Sequence, residues 1–417
     1  MLRSGRRAPS LDLVDKRILG LSNSYSVVFS AAGPWQLSSE EAGRRLFGTV
    51  ASGGQATGVV LRNGGRLHLG EASRPVYATP ECGSVPELVV HDKAGERILE
   101  GLLAGSGQRL LEQDIDGEIS LLKVNLDPAD SPYGCQEDYV IARRGEFGQL
   151  ADVLIPFLVT RQLICGAGAV ARTPGGAVYC LSRQAEPAAG ADGPFRATRR
   201  RRPFISTRDE PRDAAAGSRR LRVMVSDPSM SETTGLLKAG ATDLVLRMAD
   251  AGTVPPELAL GKPVQAMEEV SRDITGRRLL RLADGRQLSA LDIQRDYLAR
   301  ARDFTDERGT DAVSQRVLGL WQRALDAIAA GNLDAIAREI DWVIKHQFIE
   351  RYRAANDLPL SAPQVAYADL TYHSVDRGRG LYYQLQRDGA VERTARDIDI
   401  FEAKTVRPAP SRYRRAG

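Results

Sequence analysis

Cysteine is scarce: Cys82, Cys135, Cys165 and Cys180 lie far apart and form no Cys-x-x-Cys pair. That spacing argues against a zinc site and fits a reducing compartment, so a cytoplasmic protein is expected. Long apolar runs are lacking too. The longest, around Val153–Val159, is too short to span a bilayer and contains Pro156. The N-terminal arginines Arg3, Arg6 and Arg7 precede no apolar core, so no signal peptide is expected. No charge of one sign dominates, because 57 Lys and Arg stand against 53 Asp and Glu. No nucleic-acid partner and no membrane partner are therefore expected.

What is present describes a globular chain. It has 417 residues, 42% hydrophobic and 26% charged, enough for a large core and for one big domain plus a smaller one. Residues 16–30 read as a first strand, and Ser38-x-x-Glu41 is a capping box opening a helix to about Val50. Residues 57–70 read as a hairpin turning at Asn63-Gly64. A helix from Pro86 to Leu111 is expected to break near Gly105, with a strand over Glu118–Asp127 and an apolar helix over Phe147–Cys165. Strands recur at Ala177–Ser182 and at Leu221–Asp227, where Leu221, Val223 and Val225 share a face. Between them, residues 185–203 read as a Gly/Pro/Arg-rich mobile loop. Helices over 231–250, 289–306, 311–330 and 332–354 complete an α+β pattern, with Trp321 and Trp342 at core spacing. Residues 1–15 are expected to be a disordered extension and 403–417 a basic, disordered tail, leaving one domain over 16–402.

Several runs carry a family resemblance. They include Tyr77-Ala78-Thr79-Pro80-Glu81-Cys82, His91-Asp92-Lys93-Ala94-Gly95-Glu96-Arg97, Thr160-Arg161-Gln162-Leu163-Ile164-Cys165-Gly166, Thr207-Arg208-Asp209-Glu210-Pro211 and Met230-Ser231-Glu232-Thr233-Thr234. With Ser289–Arg295 and Glu339–Lys345 they resemble the bacterial Pup–protein ligases and their sister depupylases, closer to the ligases, over about 16 to 400. The resemblance implies a glutamine-synthetase-like antiparallel sheet packed with helices. It fades after about Arg396, so a fold truncated at the C-terminus, without the family's nucleotide-packing tryptophan, is expected. It also implies ATP and Mg²⁺ as cofactors and Pup, a small acidic disordered tag, as partner. In such enzymes the tag's C-terminal glutamate is phosphorylated and a substrate lysine then forms an isopeptide bond. That chemistry needs metal ions to neutralise phosphate charge and a base to deprotonate the lysine.

The residues where the family places that machinery differ here. The family's first strand carries two metal-binding glutamates, and Ser22 and Ser24 occupy their places on one strand face. In Arg66-Leu67-His68-Leu69-Gly70 the implied ATP-binding arginine is kept as Arg66. His68 stands for a tyrosine and Gly70 for the aspartate base; Glu71 falls on the opposite face. Val76 replaces another glutamate ligand, Gln136 one histidine and Arg212 a second, while Thr79 and Arg208 keep implied nucleotide contacts. A serine hydroxyl or a valine is no substitute for the anionic oxygens that Mg²⁺ prefers.

Each of these residues has two readings. His68 could bind a metal alone or with Gln136, or be a tolerated replacement. Arg66, Thr79 and Arg208 could hold phosphates, or serve folding. Glu137 and Glu232 could form one weak cation site. Arg199–Arg202 could dock an acidic partner, or form a solvated loop. The expectation is a catalytically inactive ligase-like binding or regulatory module with weak ATP binding and doubtful Mg²⁺. The alternative is an active ATP-dependent ligase with altered metal ligands.

Overall fold

Leu19, Leu21 and Asn23 are buried, whereas Gly20, Ser22 and Ser24 are only partly so, the alternation of a strand with one covered face. That strand, β1 (Leu19–Ser24), is the middle of a seven-stranded antiparallel sheet in the computed structural model, which describes residues 17–31, 36–48, 58–70, 73–124, 134–143, 147–183, 204–208, 217–254 and 256–405. Its first strand ends sooner than the sequence suggests. After Tyr25 the chain starts β2 (Ser26–Ser30), which leaves the main sheet to pair with β6 (Glu118–Leu122).

The main sheet also holds β3 (Gly58–Val60), β4 (Arg66–Leu69), β5 (Pro75–Ala78), β7 (Cys135–Ala142), β10 (Ile205–Arg208) and β11 (Ser218–Ser226), in the order β10-β11-β7-β1-β5-β4-β3. The expected hairpin forms, with Gly64 at φ 83° where glycine meets no steric penalty. In β11 a bulge after Val223 shifts the register, and Val225 packs against the core only half-buried, whereas Leu221 and Val223 are fully buried.

Helices cover one face of the sheet. The capping box at Ser38 and Glu41 starts α1 (Ser39–Phe47). Helix α2 (Val85–Glu112) starts at Ser84 and runs unbroken through Gly105, because its packing outweighs the glycine's entropy cost. Gly95 lets α2 lie directly on the sheet: a Cβ there would sit 2.2 Å from the Tyr77 ring. Gly95→Ala is therefore expected to lower unfolding free energy by about 1–3 kcal/mol through overpacking, read from the urea midpoint.

The apolar helix divides into α3 (Phe147–Thr160) and α4 (Gln162–Cys165) around Arg161. Two short strands, β8 (Ala169–Thr173) and β9 (Gly176–Cys180), form their own hairpin. The helical third comprises α5 (Glu232–Asp250), α6 (Pro263–Ser271), α7 (Ala290–Arg308), α8 (Ala312–Ala330) and α9 (Asp341–Asn356). Gly331 closes α8 in the left-handed conformation, and a 3₁₀ turn at Leu333–Ile336 replaces the start of the helix expected at 332. Trp321 and Trp342 are fully buried, their indole N–H groups donating to Gln294 at 3.0 Å and to the Leu163 carbonyl at 2.8 Å.

Elements without a clear sequence pattern follow or intervene: the hairpin β12 (Leu279–Arg281) and β13 (Gln287–Ser289), then α10 (Pro363–Thr371), α11 (Leu381–Arg387) and α12 (Asp397–Ala403). Helix α12 turns on to Thr405, inside the span expected to be a disordered tail. The extension 1–15, the loop 185–203 with Arg199–Arg202, Glu71, Arg212 and the tail beyond 405 lie outside the described residues.

Candidate functional site

The open face of the sheet is built by register. Gln136 of β7 lies opposite Ser22, Ser22 opposite Ala78, and Ala78 opposite Arg66, forming one row across the strands. In the next row Ser24 lies opposite Val76, Val76 opposite His68, and His68 opposite Gly58. Neighbours across an antiparallel pair have Cβ atoms about 4.5–5.5 Å apart. The structure thus brings Ser22, Ser24, Arg66, His68, Val76 and Gln136 onto one surface. Gly70 follows directly at the end of β4, its N–H donating to the Arg74 carbonyl at 2.8 Å.

Arg208 shares this face but not this place. It sits on the edge strand β10, opposite Arg220, five strand spacings from Arg66 in the sheet order. That corresponds to about 24 Å along the sheet, so the two arginines form no joint clamp. Arg66 and Arg208 are both exposed, and neither has an ion-pair partner among the described residues. Thr79 is tied into the sheet: its Oγ1 accepts the Leu21 N–H at 3.0 Å, and its own N–H donates to the Leu21 carbonyl at 2.8 Å. Its hydroxyl also lies against the Cys82 thiol.

His68 is half-buried. Burial first, and then the neighbouring Arg66, lower its imidazole pKa, so the ring is neutral at pH 7. The other histidines do not reach this face. His91 is buried in α2, where burial lowers its pKa to about 4; His346 is in α9, and His373 packs against Lys345.

Neither acid offered as a cation ligand can act as one. Glu137 points to the covered face, where Arg161 donates to both its oxygens at 2.5 and 3.1 Å and the Tyr139 hydroxyl donates at 2.5 Å. Burial alone would raise its pKa, but Arg161, Lys238 and Tyr139 outweigh that and hold it at about 2. Glu232 instead accepts the backbone N–H groups of Thr394 and Ala395, each at 2.6 Å. On the open face Asp138 is engaged by Arg222 at 2.8 and 3.0 Å, and Arg220 lies 3.5 Å from Glu81.

Arg220, Arg222 and Asp138 were not singled out from the sequence. The signal was available, because Arg220 and Arg222 alternate with the buried Leu221 and Val223. Among the described residues the donors on the rows through Ser22 and Ser24 are therefore two hydroxyls, one amide and one neutral imidazole, and the nearest carboxylate, Asp138 opposite Gly20, is engaged by Arg222. They do not fit an octahedral Mg²⁺ site, and among the described residues no three His, Cys, Asp or Glu side chains are grouped to hold a metal. No helix among the described residues is long and apolar enough to cross a membrane.

Comparison with known proteins places this geometry. The Pup-ligase protein family model matches residues 17–416, continuing past Arg396 where the sequence resemblance fades. A Pup–protein ligase of Kribbella flavida is 54% identical over 406 residues, 97% of this chain and 89% of that protein. A solved complex between Pup and its ligase PafA superposes with a TM-score of 0.87 at 36% identity, covering 96% of this chain and 81% of that one. PafA in complex with ADP gives 0.78 at 35% identity, covering 91% and 83%. The glutamine-synthetase-like sheet, the helices on one of its faces and the match along nearly the whole chain agree: this chain belongs to the Pup-ligase family.

Proposed function

We propose that this chain is a Pup-ligase-family protein that no longer ligates and acts as a binding or regulatory module of the pupylation pathway. One observation carries the reading: among the described residues, the two rows through Ser22 and Ser24 contain no carboxylate. A ligase of this kind must gather metal cations against phosphate oxygens and position a base for the lysine. Here Gly70 offers no base, and Val76 offers no donor of any kind.

Among the described residues the covered face of the sheet carries a filled core, so surfaces that engage a partner can persist without the reaction. PafA has been solved with Pup and with ADP, and on that analogy Pup is the partner and ATP the nucleotide. Arg66 meets phosphate on this face, with Thr79 shaping the strand junction and Arg208 contacting anions separately at the far edge. The functional domain spans 16–402, and its setting is the cytoplasm.

A second reading is favoured by the 54% identity to a protein named as a ligase. In it His68 and Gln136 act as neutral metal donors and ligation continues.

Calorimetry with ATP separates the two. The first reading expects weak binding that changes less than about threefold when Mg²⁺ is added, since no anionic group anchors the ion. An affinity gain of about tenfold or more with Mg²⁺ would establish replacement ligands and favour the second.

A further inference from the structure

Asn63, in the turn between β3 and β4, is completely buried. Its Oδ1 accepts the Gly65 N–H at 2.9 Å, which by itself closes the turn in the manner of an Asx motif. The same side chain does more. Its Nδ2 donates to the Tyr77 hydroxyl at 3.1 Å and to the Ala403 carbonyl at 2.9 Å, a contact between residues 340 positions apart. Ala403 is the last residue of α12, where helix carbonyls lack intrahelical partners. One amide therefore joins the hairpin turn, β5 and the end of the C-terminal helix.

The outer strand of the hairpin is where such a tie counts most. Strand β3 is three residues long and outermost in the sheet, with Val60 largely exposed. A short edge strand is the part of a sheet most open to fraying, although β4 itself pairs with β5 and buries Leu67. Yet β4 carries Arg66 and His68. The other end of α12 is held independently, because Glu232 anchors Thr394 and Ala395. Ile400 and Ala403 face inward and α12 packs on α2, while Ile398 and Phe401 stay exposed.

We infer that Asn63 is a positioning residue through which docking of the C-terminal helix α12 sets the order of the β3–β4 hairpin, and with it the placement of Arg66. Loosening α12 from its Glu232 end then loosens a hairpin that Glu232 does not touch.

Hydrogen–deuterium exchange on the full chain tests this in two variants. Glu232→Ala removes only the distant anchor. Asn63→Asp keeps an acceptor for the Gly65 N–H but deprives the Ala403 carbonyl of its donor. In both, the amides of residues 397–405 and 61–69 are expected to exchange faster together, by about fivefold for one lost hydrogen bond, with α8 unchanged. Faster exchange in α12 with an unchanged hairpin in Glu232→Ala would overturn the coupling. So would a hairpin that loosens in Asn63→Asp while α12 stays protected, or a wild-type pattern in both variants. The measurement contains no ligand, so its outcome is separate from whether Arg66 meets a phosphate.

Discussion

Incubated with Pup bearing a C-terminal glutamate, ATP, Mg²⁺ and a lysine-containing target, this chain is expected to give no isopeptide conjugate. Loss of a positioned base alone typically lowers a rate by about 10²–10⁴. Loss of preorganised charge at the phosphate adds about 3 kcal/mol or more in comparable sites, although such effects do not add simply. An ATP-dependent conjugate on an immunoblot would refute the inactive reading.

The structure also says how repair must proceed. A Cβ at position 70 would lie 3.0 Å from Val76 Cγ2, so an aspartate there is crowded while Val76 remains. Val76→Glu removes the β-branch and, opposite Ser24, adds a carboxylate where the second row needs one. Gly70→Asp and Val76→Glu are therefore expected to work only as a pair, with Ser22→Glu and Ser24→Glu restoring Mg²⁺-dependent ATP binding before any turnover. Robust ligation from Gly70→Asp alone would mean that a working metal site was there throughout.

Arg161→Met is expected to lower stability by about 3–5 kcal/mol, because it leaves the Glu137 carboxylate buried without its cation. The double variant Arg161→Met, Glu137→Leu should recover most of that loss, since a buried pair gains little over apolar packing of similar volume. Urea unfolding of the single and double variants decides it, and equal losses in both would contradict the argument.

The same pair sets an acid dependence. Glu137 is held at about 2 in the folded chain against an ordinary 4.5, so its contribution is full above about 4.5 and is lost as pH falls towards 2. Glu96 acts in the same direction: burial alone would raise its pKa, but Lys123, Lys93 and Arg97 outweigh that and hold it below the usual carboxylate range. The unfolding midpoint should drop between pH 5 and about 3, and drop less in the double variant that lacks Glu137.

Much of this was legible in the chain itself. Alternation in β1 and β4 is a local property with a period of two, so the order of residues alone assigns Ser22 with Ser24, and Arg66 with His68, to common faces. The hairpin at Asn63-Gly64 and the cap at Ser38 are equally local, and the family was carried by runs of ordered residues. Alternation separates two faces but does not say which one a helix will cover. Only the packing of α2 and α5 against the sheet decided that Glu137 is a buried partner of Arg161 while Gln136, one residue earlier, looks outward. Nor does a strand's sequence name its neighbours. That β5 and β7 flank β1, that Asp138 meets Arg222, that Arg66 and Arg208 stand far apart on one sheet, and that Asn63 reaches Ala403 all depend on hydrogen bonds between distant segments. Those contacts are fixed by the one arrangement that fills the common core and satisfies the buried polar groups, a condition on the whole chain that no local window contains.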